Sequence, residues 1–386
     1  MKITDQLVKL ASGVGNPAFD KTAGAELAFQ TLSPEQAVNL YRSSWMARAI
    51  VDEPAHDMTR AWRSWQEDET AIELISDAER SLRLRGKVHN AVQLARLTGQ
   101  AAIYVGTGSN AASPLTGNLA QGAMDYLHVF KGSELVGADP VTDLASANFG
   151  GFSHYDYDPG RIIGAHHGRS GHKIRIHSSR LIWFRGATEP DHLFGGQSVL
   201  QHCHQPIIDA EVILAHAQAL VGEAKLDVIK VRDLASTLST ADGIESLQKR
   251  YTEGLALKSI LGVTLIDSSS EEWDRKQVNF AYLPELIQQR LELVAAAARM
   301  PVTKLLGQSP GGMNATGESD LRNYYDMISG RQETGLRSAL ERLDQLLLAH
   351  AGVSVPAHNY VWNPLYQLDE VQAAEAALKR AQAAAL

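Results

Sequence analysis

The sequence predicts an α+β fold, and three observations along the chain support this class. Strong helix signals fill the stretch from Ser33 to about Gly99, short β-branched and aromatic runs follow from Ala101 to Phe184, and helical spacing returns after residue 197. A run of helices followed by a run of strands is typical of α+β domains. Up to about residue 197, a helix-then-sheet unit is therefore expected.

The first helix is predicted from the signals at its start. Ser33, Pro34 and Gln36 form a capping-box pattern with proline at the first helical position. Pro54 removes a backbone donor, so it is expected to end this helical stretch, with a separate short helix after it. Residues 1–32 contain three glycines and few large apolar side chains, and they are expected to form a weakly ordered N-terminal arm.

Thr70 is the predicted cap of the next helix, which Gly86 ends, and a further helix runs to about Gly99. The sequence then changes to short runs of β-branched and aromatic residues between turn-rich loops. The predicted strands are 101–105, 126–130, 173–176 and 181–184. The glycine-rich span 150–171 is expected to be a loop.

A second region begins with helix over residues 198–224, which Pro206 is expected to kink or divide. A small α/β insert follows and ends near Leu283. Its predicted elements are a strand at 227–231, a helix over 240–258 and a strand at 262–266. Another helix is predicted over 284–300.

A loop rich in Gly, Pro, Ser and Asn occupies residues 301–317, and loops of this composition are either flexible or pressed against something that admits no side chain. Thr316 then begins a helix of roughly 50 Å. Gly330 and Gly335 are expected to bend it. Gln367 begins a final alanine-rich helix.

Composition limits the possible functions. The chain has 386 residues, enough for two or three domains, and a net charge of −8, which argues against tight binding of duplex DNA. Its single cysteine, Cys203, excludes an intrachain disulfide and fits a reducing compartment. The sequence has no signal-peptide core and no membrane-length apolar run, so assembly in a cytoplasm without membrane contact is expected.

Motifs for cofactor chemistry are incomplete. Gly106–Ala111 matches the dinucleotide pattern G-x-G-x-x-A, but a loop and not a helix is expected after it. The glycine loop before the long helix lacks the lysine of a phosphate-binding P-loop. His202 and His204 lie on different sides of a predicted helix and cannot easily share a metal. No cofactor or metal is expected.

Four segments of the chain resemble tailed-phage and prophage portal proteins, the rings at one capsid vertex through which DNA passes. The resembling segments are 40–62, 176–184, 194–200 and 300–320. The residues that carry the two most specific segments are Trp45, Arg48, Asp57, Arg60, Trp62, Pro301, Gly317 and Asp320. Arg48, Arg60 and Arg63 lie close to Asp52, Glu53 and Asp57, which predicts ion pairs within this segment in preference to phosphate contacts.

The resemblance implies the portal fold, with each part assigned by position. The parts are an N-terminal arm (1–32), a wing (33–197), a first stem helix (198–224), a clip (225–283), a second stem helix (284–300), a channel loop (301–317), a long helix at the wing and crown junction (318–354) and a short crown (355–386). In portals the loop faces the DNA. Here its facing residues would be Gly307, Gln308, Ser309, Gly311, Gly312, Met313 and Asn314. Without Lys or Arg, they suit loose, sequence-blind contact with DNA.

The resemblance also implies a function without catalysis. The chain would form a ring, with twelve subunits implied by the family, and would belong to the virion after assembly in the host cytoplasm. Its expected partners are other copies of the chain, the major capsid protein or scaffold, the large terminase subunit, a head–tail adaptor and double-stranded DNA.

Two alternatives remain. Some phage proteins related to this family are grouped with enzymes that degrade cyclic-oligonucleotide immune signals, so the chain could be a phosphodiesterase or a nucleotide-binding enzyme. Two-histidine phosphoesterases need two H-x-[ST] elements, and this chain has one, at His177. A monomeric adaptor is the other alternative.

Overall fold

The computed structural model describes residues 31–116, 119–146, 148–158, 173–188, 195–222, 225–231, 234–261, 271–277, 280–307 and 317–366. These residues contain both helices and antiparallel sheets, so the predicted α+β class is confirmed. The chain divides into two compact units. The first contains the described residues up to Gln201 and those from Tyr325 onward, and the second runs from His202 to Tyr324.

The first unit begins with helices that carry clear capping signals. These helices are α1 (Pro34–Ser43), α2 (Trp45–Arg60), α3 (Glu69–Ser81) and α4 (Leu84–Thr98). The predicted capping box of α1 is confirmed, because the Ser33 hydroxyl accepts from the N–H of Gln36 while the Gln36 side chain accepts from the N–H of Ser33.

Two predicted helix boundaries are wrong. Asp68, and not Thr70, caps α3, and its carboxylate accepts a hydrogen bond of 2.9 Å from the N–H of Ala71. Gly86 lies inside the first turn of α4, because Arg83 takes the left-handed conformation (φ 51°) and turns the chain before the glycine is reached.

The predicted break at Pro54 is also wrong, since α2 continues through it. A proline at this position cannot donate to the carbonyl of Ile50. The buried guanidinium of Arg96 on α4 supplies the missing donor, with Nη2 donating to Ile50 O at 2.7 Å and Nε donating to Val51 O at 3.1 Å. A tertiary hydrogen bond therefore replaces the one that the helix lacks.

The sheets of the first unit are antiparallel. Their strands are β1 (Arg63–Trp65), β2 (Gln100–Gly106), β3 (Tyr126–Lys131), β4 (Leu135–Pro140), β5 (Phe152–Tyr157), β6 (Ile174–His177) and β7 (Leu181–Arg185). One sheet has the order β3–β2–β7 and the other β4–β5–β6. The residues of β2 after Gln100 are buried, and α4 packs against this sheet.

All four strands predicted for this region are confirmed, but β1, β4 and β5 were missed. Residues 152–157 were expected to be loop because glycines surround them, yet Tyr155 and Tyr157 build β5 into the core. The Tyr155 ring lies 5.0 Å from that of Trp183, and the Tyr157 ring lies 4.6 Å from that of Phe130. Aromatic packing between the sheets outweighs the local loop signal.

Glycines fix the segment that leaves the first unit. A Cβ on Gly99 would lie 2.2 Å from the carbonyl oxygen of Gly196, and one on Gly196 would lie 2.3 Å from that of Gly99. The N–H of Gly186 also donates to Gly99 O at 2.7 Å. Only glycine permits this approach, so the 195–201 segment starts from a defined position.

The second unit is mainly helical. Its elements are α5 (His204–Gly222), β8 (Lys225–Val231), α6 (Leu234–Thr237), α7 (Ala241–Leu261), β9 (Glu271–Gln277), α8 (Leu283–Ala298) and α9 (Val302–Leu306). Strands β8 and β9 pair antiparallel, and α5 packs against α8. The predicted strand at 227–231 and the helices over 240–258 and 284–300 are confirmed, while the strand predicted at 262–266 lies outside the described residues.

Residues 198–203 form turns, so the helix predicted from Ser198 begins only at His204. Pro206 consequently lies in the first turn of α5, where its missing N–H leaves no hydrogen bond unmade, and it does not divide the helix. Strand β9 was missed because Trp273 is its only large apolar residue among charged and polar neighbours.

The chain then returns to the first unit. The returning elements are α10 (Glu318–Arg331), a π-helical turn (Gln332–Leu336), α11 (Arg337–Ala351) and β10 (Tyr360–Trp362). The division between the units falls within α10. The π-helical turn lies in the region where Gly330 and Gly335 predict a bend, and within it the buried Gln332 side chain donates to Met58 O at 2.9 Å. The predicted start at Thr316, the helix from Gln367 and residues 1–30 lie outside the described residues.

A buried ion pair joins the two stretches of the first unit. Arg63 on β1 donates through both terminal nitrogens to Asp344 on α11, with Nη2 at 2.6 Å from Oδ1, and also donates to Glu79 at 2.9 Å. Burial raises the pKa of the Asp344 carboxyl to about 6, and Arg63 opposes that shift. The Asp344 carboxylate accepts both of these hydrogen bonds and compensates the buried guanidinium.

Aromatic rings enclose this ion pair. The guanidinium carbon of Arg63 lies 4.7 Å from the ring centroid of Trp65 and 4.5 Å from that of Tyr360. Strands β1 and β10 pair antiparallel, which places Trp65 opposite Tyr360.

None of the helices in the described part of the chain has both the length and the apolar character that crossing a bilayer requires.

The hydrogen bond at Pro54 leads to a double-mutant prediction. Arg96→Leu leaves the Ile50 carbonyl without a donor, and we expect a loss of about 1–3 kcal/mol in the free energy of unfolding from that group alone. Pro54→Ala restores an N–H, so the double variant should recover most of this loss. Urea denaturation of all four forms measures the coupling, and simple additivity would contradict the assignment.

The buried ion pair leads to a second prediction. Asp344→Ala leaves Arg63 inadequately compensated, and we expect a loss of about 3–5 kcal/mol in the free energy of unfolding. Asp77→Ala, which breaks the exposed pair between Asp77 and Arg80, is the matched control and should cost at most about 1 kcal/mol. The urea midpoint followed by tryptophan fluorescence reports both, and equal losses would refute the structural role.

Candidate functional site

The ends of the predicted channel loop are well defined in the second unit. Helix α8 ends at Arg299 in the left-handed conformation (φ 53°), and Pro301 then caps the short helix α9. Gly307 ends α9 at φ 65°, and Gly317 precedes α10 at φ 63°. The loop predicted over 301–317 is therefore wrong in its first part, because Val302–Leu306 form α9, and left-handed glycines at 307 and 317 bound the remainder.

Side-chain contacts hold the two ends of the loop together. The ammonium of Lys304, on α9, lies 5.9 Å from the ring centroid of Tyr324, on α10. Tyr324 is buried, as are Leu305 and Met300. A cation over an aromatic face is attracted by the ring, so this contact fixes the base from which the loop leaves and to which it returns.

The structure places the predicted loop residues only in part. Gly307 is described, whereas Gln308, Ser309, Gly311, Gly312, Met313 and Asn314 lie outside the described residues. Pro301 lies at the start of α9, Gly317 directly precedes α10, and Asp320 lies in the first turn of α10. An acidic residue there complements the helix dipole.

Two helices near the loop expose apolar side chains, a feature that the sequence analysis missed. Ile207 and Ala210 of α5 are buried, yet Ile208 and Val212 on the same helix are 37% and 45% exposed. On α8, Leu293 is 53% exposed next to the buried Val294 and Ala295, and Leu286 is 41% exposed. A helix that is apolar all round is normally buried all round. Helix α5 is not of this kind, because Asp209, Glu211 and Gln218 interrupt its apolar surface, so its exposed apolar side chains become evident only from its packing.

The signature residues of the first unit have structural contacts. Asp57 is buried and accepts from Arg60 at 2.9 Å, which confirms that predicted ion pair. The Trp62 indole N–H donates to Glu79 at 2.8 Å. Arg48 lies over the ring of Tyr41 at 5.3 Å, and Trp45 is half exposed.

Two of the predicted ion pairs are replaced by other contacts. Arg63 pairs with Glu79 and Asp344, and Asp52 accepts hydrogen bonds from Tyr41 and Gln93, on α4. The rotation of α2 decides this, because it turns Asp52 toward α1 and α4. Arg48, on the same helix, instead stacks on Tyr41.

His177 has local partners. Its Nδ1 accepts from the N–H of Ser179 at 3.1 Å and lies 2.8 Å from the Ser179 hydroxyl, which in turn accepts from the N–H of Leu115 at 2.7 Å. The ring packs edge-on against His154 at 4.9 Å. Burial, together with the nearby His154, lowers the pKa of His177 below its ordinary value. The H-x-S element thus caps the short 3-10 turn at Ser178–Arg180.

Within the protein, the Arg180 side chain binds the Gly106–Ala111 loop. The buried Arg180 donates to the hydroxyls of Thr107 and Ser109, at 3.1 and 2.6 Å, and to the carbonyl of Ser113 at 2.8 Å. As expected, turns and not a helix follow the glycines. This loop therefore lacks the helix N-terminus that a dinucleotide pyrophosphate requires.

The chain was compared with known proteins. It is 37% identical over 390 residues to the "Anti-CBASS protein Acb1" of Caulobacter sp. (strain RHG1), covering 96% of this chain and 61% of that protein. It is 34% identical over 385 residues to the protein of the same name from Sphingomonas paeninsulae, covering 96% and 60%. The chain thus spans about three fifths of the length of these two relatives. An uncharacterized protein of Haemophilus influenzae is 30% identical over 354 residues, covering 90% and 77%.

Solved structures show the same fold at low sequence identity. The neck of a native gene transfer agent particle, computed with C12 symmetry, matches with a TM-score of 0.55 and 15% identity, covering 94% of this chain and 92% of that one. The neck of the empty particle, computed with C6 symmetry, matches with a TM-score of 0.57 and 16% identity, covering 91% and 89%. The family model described as "Phage portal protein" matches residues 35–386. The chain belongs to the phage portal protein family.

Proposed function

We propose that this chain forms a closed ring at one capsid vertex, through which DNA is packaged and ejected, and that it has no catalysis of its own. The observation that carries the ring is the apolar surface of α5 and α8, the helix pair beside the loop. Exposed Ile208, Val212 and Leu293 suit burial against another copy of the same pair. Head-to-tail contacts of this kind close into a ring at one rotation angle.

The proposed parts of the portal follow the two units of the chain. The second unit, His202–Tyr324, corresponds to the stem helices, the clip with its β8–β9 ribbon, and the channel loop. The first unit carries the wing, residues 33–197, which faces the capsid protein or scaffold. Residues 318–354 join the wing to the crown, residues 355–386. The clip is where a terminase large subunit, and later a head–tail adaptor, would dock.

The channel loop is proposed to face the DNA. Left-handed glycines at positions 307 and 317, and the contact between Lys304 and Tyr324, fix its ends. Between these ends the sequence has no Lys or Arg, and the chain carries a net charge of −8. An uncharged loop on an acidic ring holds phosphate weakly, which suits sliding contact that does not depend on sequence. Energy for translocation then comes from the terminase.

The name of the two bacterial relatives suggests a second candidate, an enzyme acting against host immunity. That name describes proteins of which about two fifths has no counterpart in the match. Within this chain the single H-x-S element, at His177, holds a 3-10 turn through local hydrogen bonds. We therefore assign the portal role, and no phosphodiesterase activity, to the matched region. A monomeric adaptor is the remaining alternative.

Native mass tests the ring. We expect an assembly of about twelve times the chain mass of 42.0 kDa by native mass spectrometry or light scattering. Val212→Glu with Leu293→Glu places charges on the apolar face and should shift the protein to monomer. Leu144→Glu, at a position 81% exposed in the first unit, is the control and should keep the ring.

The same experiment separates the alternatives. His177→Ala should assemble like the unmodified chain, because His177 lies in the first unit and holds only a local turn. The ring would be contradicted if the chain stays monomeric both alone and when mixed with capsid protein, and if Val212→Glu with Leu293→Glu does not change its mass. Hydrolysis of a cyclic oligonucleotide that His177→Ala abolishes would instead establish the enzyme.

Photocrosslinking tests the loop. A photoreactive amino acid in place of Met313 should crosslink to DNA in filled particles, because the loop is proposed to line the channel. The same amino acid in place of Leu144, an exposed residue of the first unit, serves as the control and should remain uncrosslinked. Crosslinking of equal yield at the two positions, or at neither, would refute the placement of the loop.

A further inference from the structure

An open cavity in the first unit is distinct from the stem and the loop. It has a volume of about 510 Å³ and lies between the C-terminal turn of α2 and the first turns of α4. Its lining residues are mostly basic or polar: His56, Thr59, Arg60, Arg83, Arg85, Gly86, Lys87, His89 and Asn90. Among the described residues, none that lines it is acidic. Four cationic side chains thus converge on one cavity in a chain whose net charge is −8.

Two of these four cations have partners within the fold. Arg60 pairs with Asp57 at 2.9 Å. Arg85 donates from Nε to the Thr59 carbonyl at 2.9 Å and from Nη2 to the Arg60 carbonyl, at the end of α2. Arg85 therefore satisfies carbonyls that a helix end leaves without donors, and it fixes one wall of the cavity.

The other two cations are not compensated. Within the described residues, neither Arg83 nor Lys87 forms an ion pair, and Arg83 is exposed. Arg83 precedes α4 in the left-handed conformation and Lys87 lies in the first turns of the helix, and both side chains line the cavity. Like charges that line one cavity repel each other, and an anion bound between them would relieve that repulsion.

Neutral polar groups complete the wall. The Thr59 hydroxyl is buried, donates to Ala55 O at 2.9 Å, and lies 3.0 Å from Nδ1 of His89. Burial lowers the pKa of His89 below its ordinary value, which favours the neutral ring at neutral pH. The exposed Asn90 amide adds donors at the rim.

We propose that this cavity binds phosphoryl groups, presented either by a free nucleotide or by a nucleic-acid strand. Guanidinium and ammonium groups are the side chains that recognise phosphate oxygens, through charge-assisted hydrogen bonds. The volume matches a ligand of nucleotide size. This site is independent of the ring, because every lining residue belongs to the first unit of one chain.

Binding of two probes to the full chain tests the site. Inorganic pyrophosphate, followed by calorimetry, represents the free ligand, and a fluorescent 20-nucleotide single strand, followed by anisotropy, represents the strand. Arg83→Asn with Lys87→Gln should weaken binding of whichever probe binds more tightly at least about tenfold, since two charge-assisted contacts are lost. Asparagine tolerates the left-handed backbone at position 83. Tighter binding of pyrophosphate indicates a nucleotide, and tighter binding of the oligonucleotide indicates a strand.

The matched control removes the same charge elsewhere. Arg80→Gln with Lys131→Gln changes two exposed side chains that pair with Asp77 and Glu134, outside the cavity, and should alter affinity less than twofold. If the double variant does not fold by circular dichroism, Lys87→Gln alone is used. The proposal is overturned if neither probe binds, if the control loses as much affinity, or if polyglutamate binds as tightly as the oligonucleotide. A monomeric chain would still contain the cavity, so this result and that for the ring are separable.

Discussion

The structure depends on one buried ion pair, between Arg63 and Asp344. The two residues lie 281 positions apart, and the whole second unit is inserted between them. A guanidinium without its carboxylate would be an uncompensated charge in a core of tryptophan and tyrosine rings, which is strongly unfavourable. The pair therefore requires the chain to return to the first unit after α10, and pairing of β1 with β10 follows from that return. The ion pair thus joins the two stretches of the first unit between which the second unit is inserted in the sequence.

The two units differ in how they satisfy their apolar surface. In the first, α4 and the strand β2 are buried among aromatic residues of neighbouring elements, and the few charges inside have partners. In the second, α5 and α8 bury only one side each, and leucine, isoleucine and valine remain exposed on the other. The first unit resembles a domain stable by itself, whereas the second has the surface expected of a subunit in an assembly. This contrast is the physical basis of the proposed ring.

Much of the fold could be predicted because local signals agreed with tertiary structure. The capping box at Ser33 and the β-branched and aromatic runs of β2 and β7 are examples. The errors arose where distant groups decide. Pro54 continues its helix because Arg96, 42 residues away, supplies a donor, and no local rule includes that contact. Likewise, the Arg63 and Asp344 pair and the cavity around Arg83 and Lys87 form only on folding. The end of the loop at Gly317 was predictable from glycine, but its start was wrongly placed at Pro301, where α9 follows. The exposed face of α5 needed its packing partner to be known.

The discontinuity of the first unit also constrains the order of events during synthesis. Domains generally fold as units as they leave the ribosome. Here Arg63 and β1 emerge early, but Asp344 and β10 are made only after the complete second unit. The second unit, with its exposed apolar helices, is therefore free of the ribosome before the first unit can close. In the proposed ring, chains translated from the same messenger RNA would expose these apolar helices beside an unfinished first unit, so correct association would follow only the synthesis of β10.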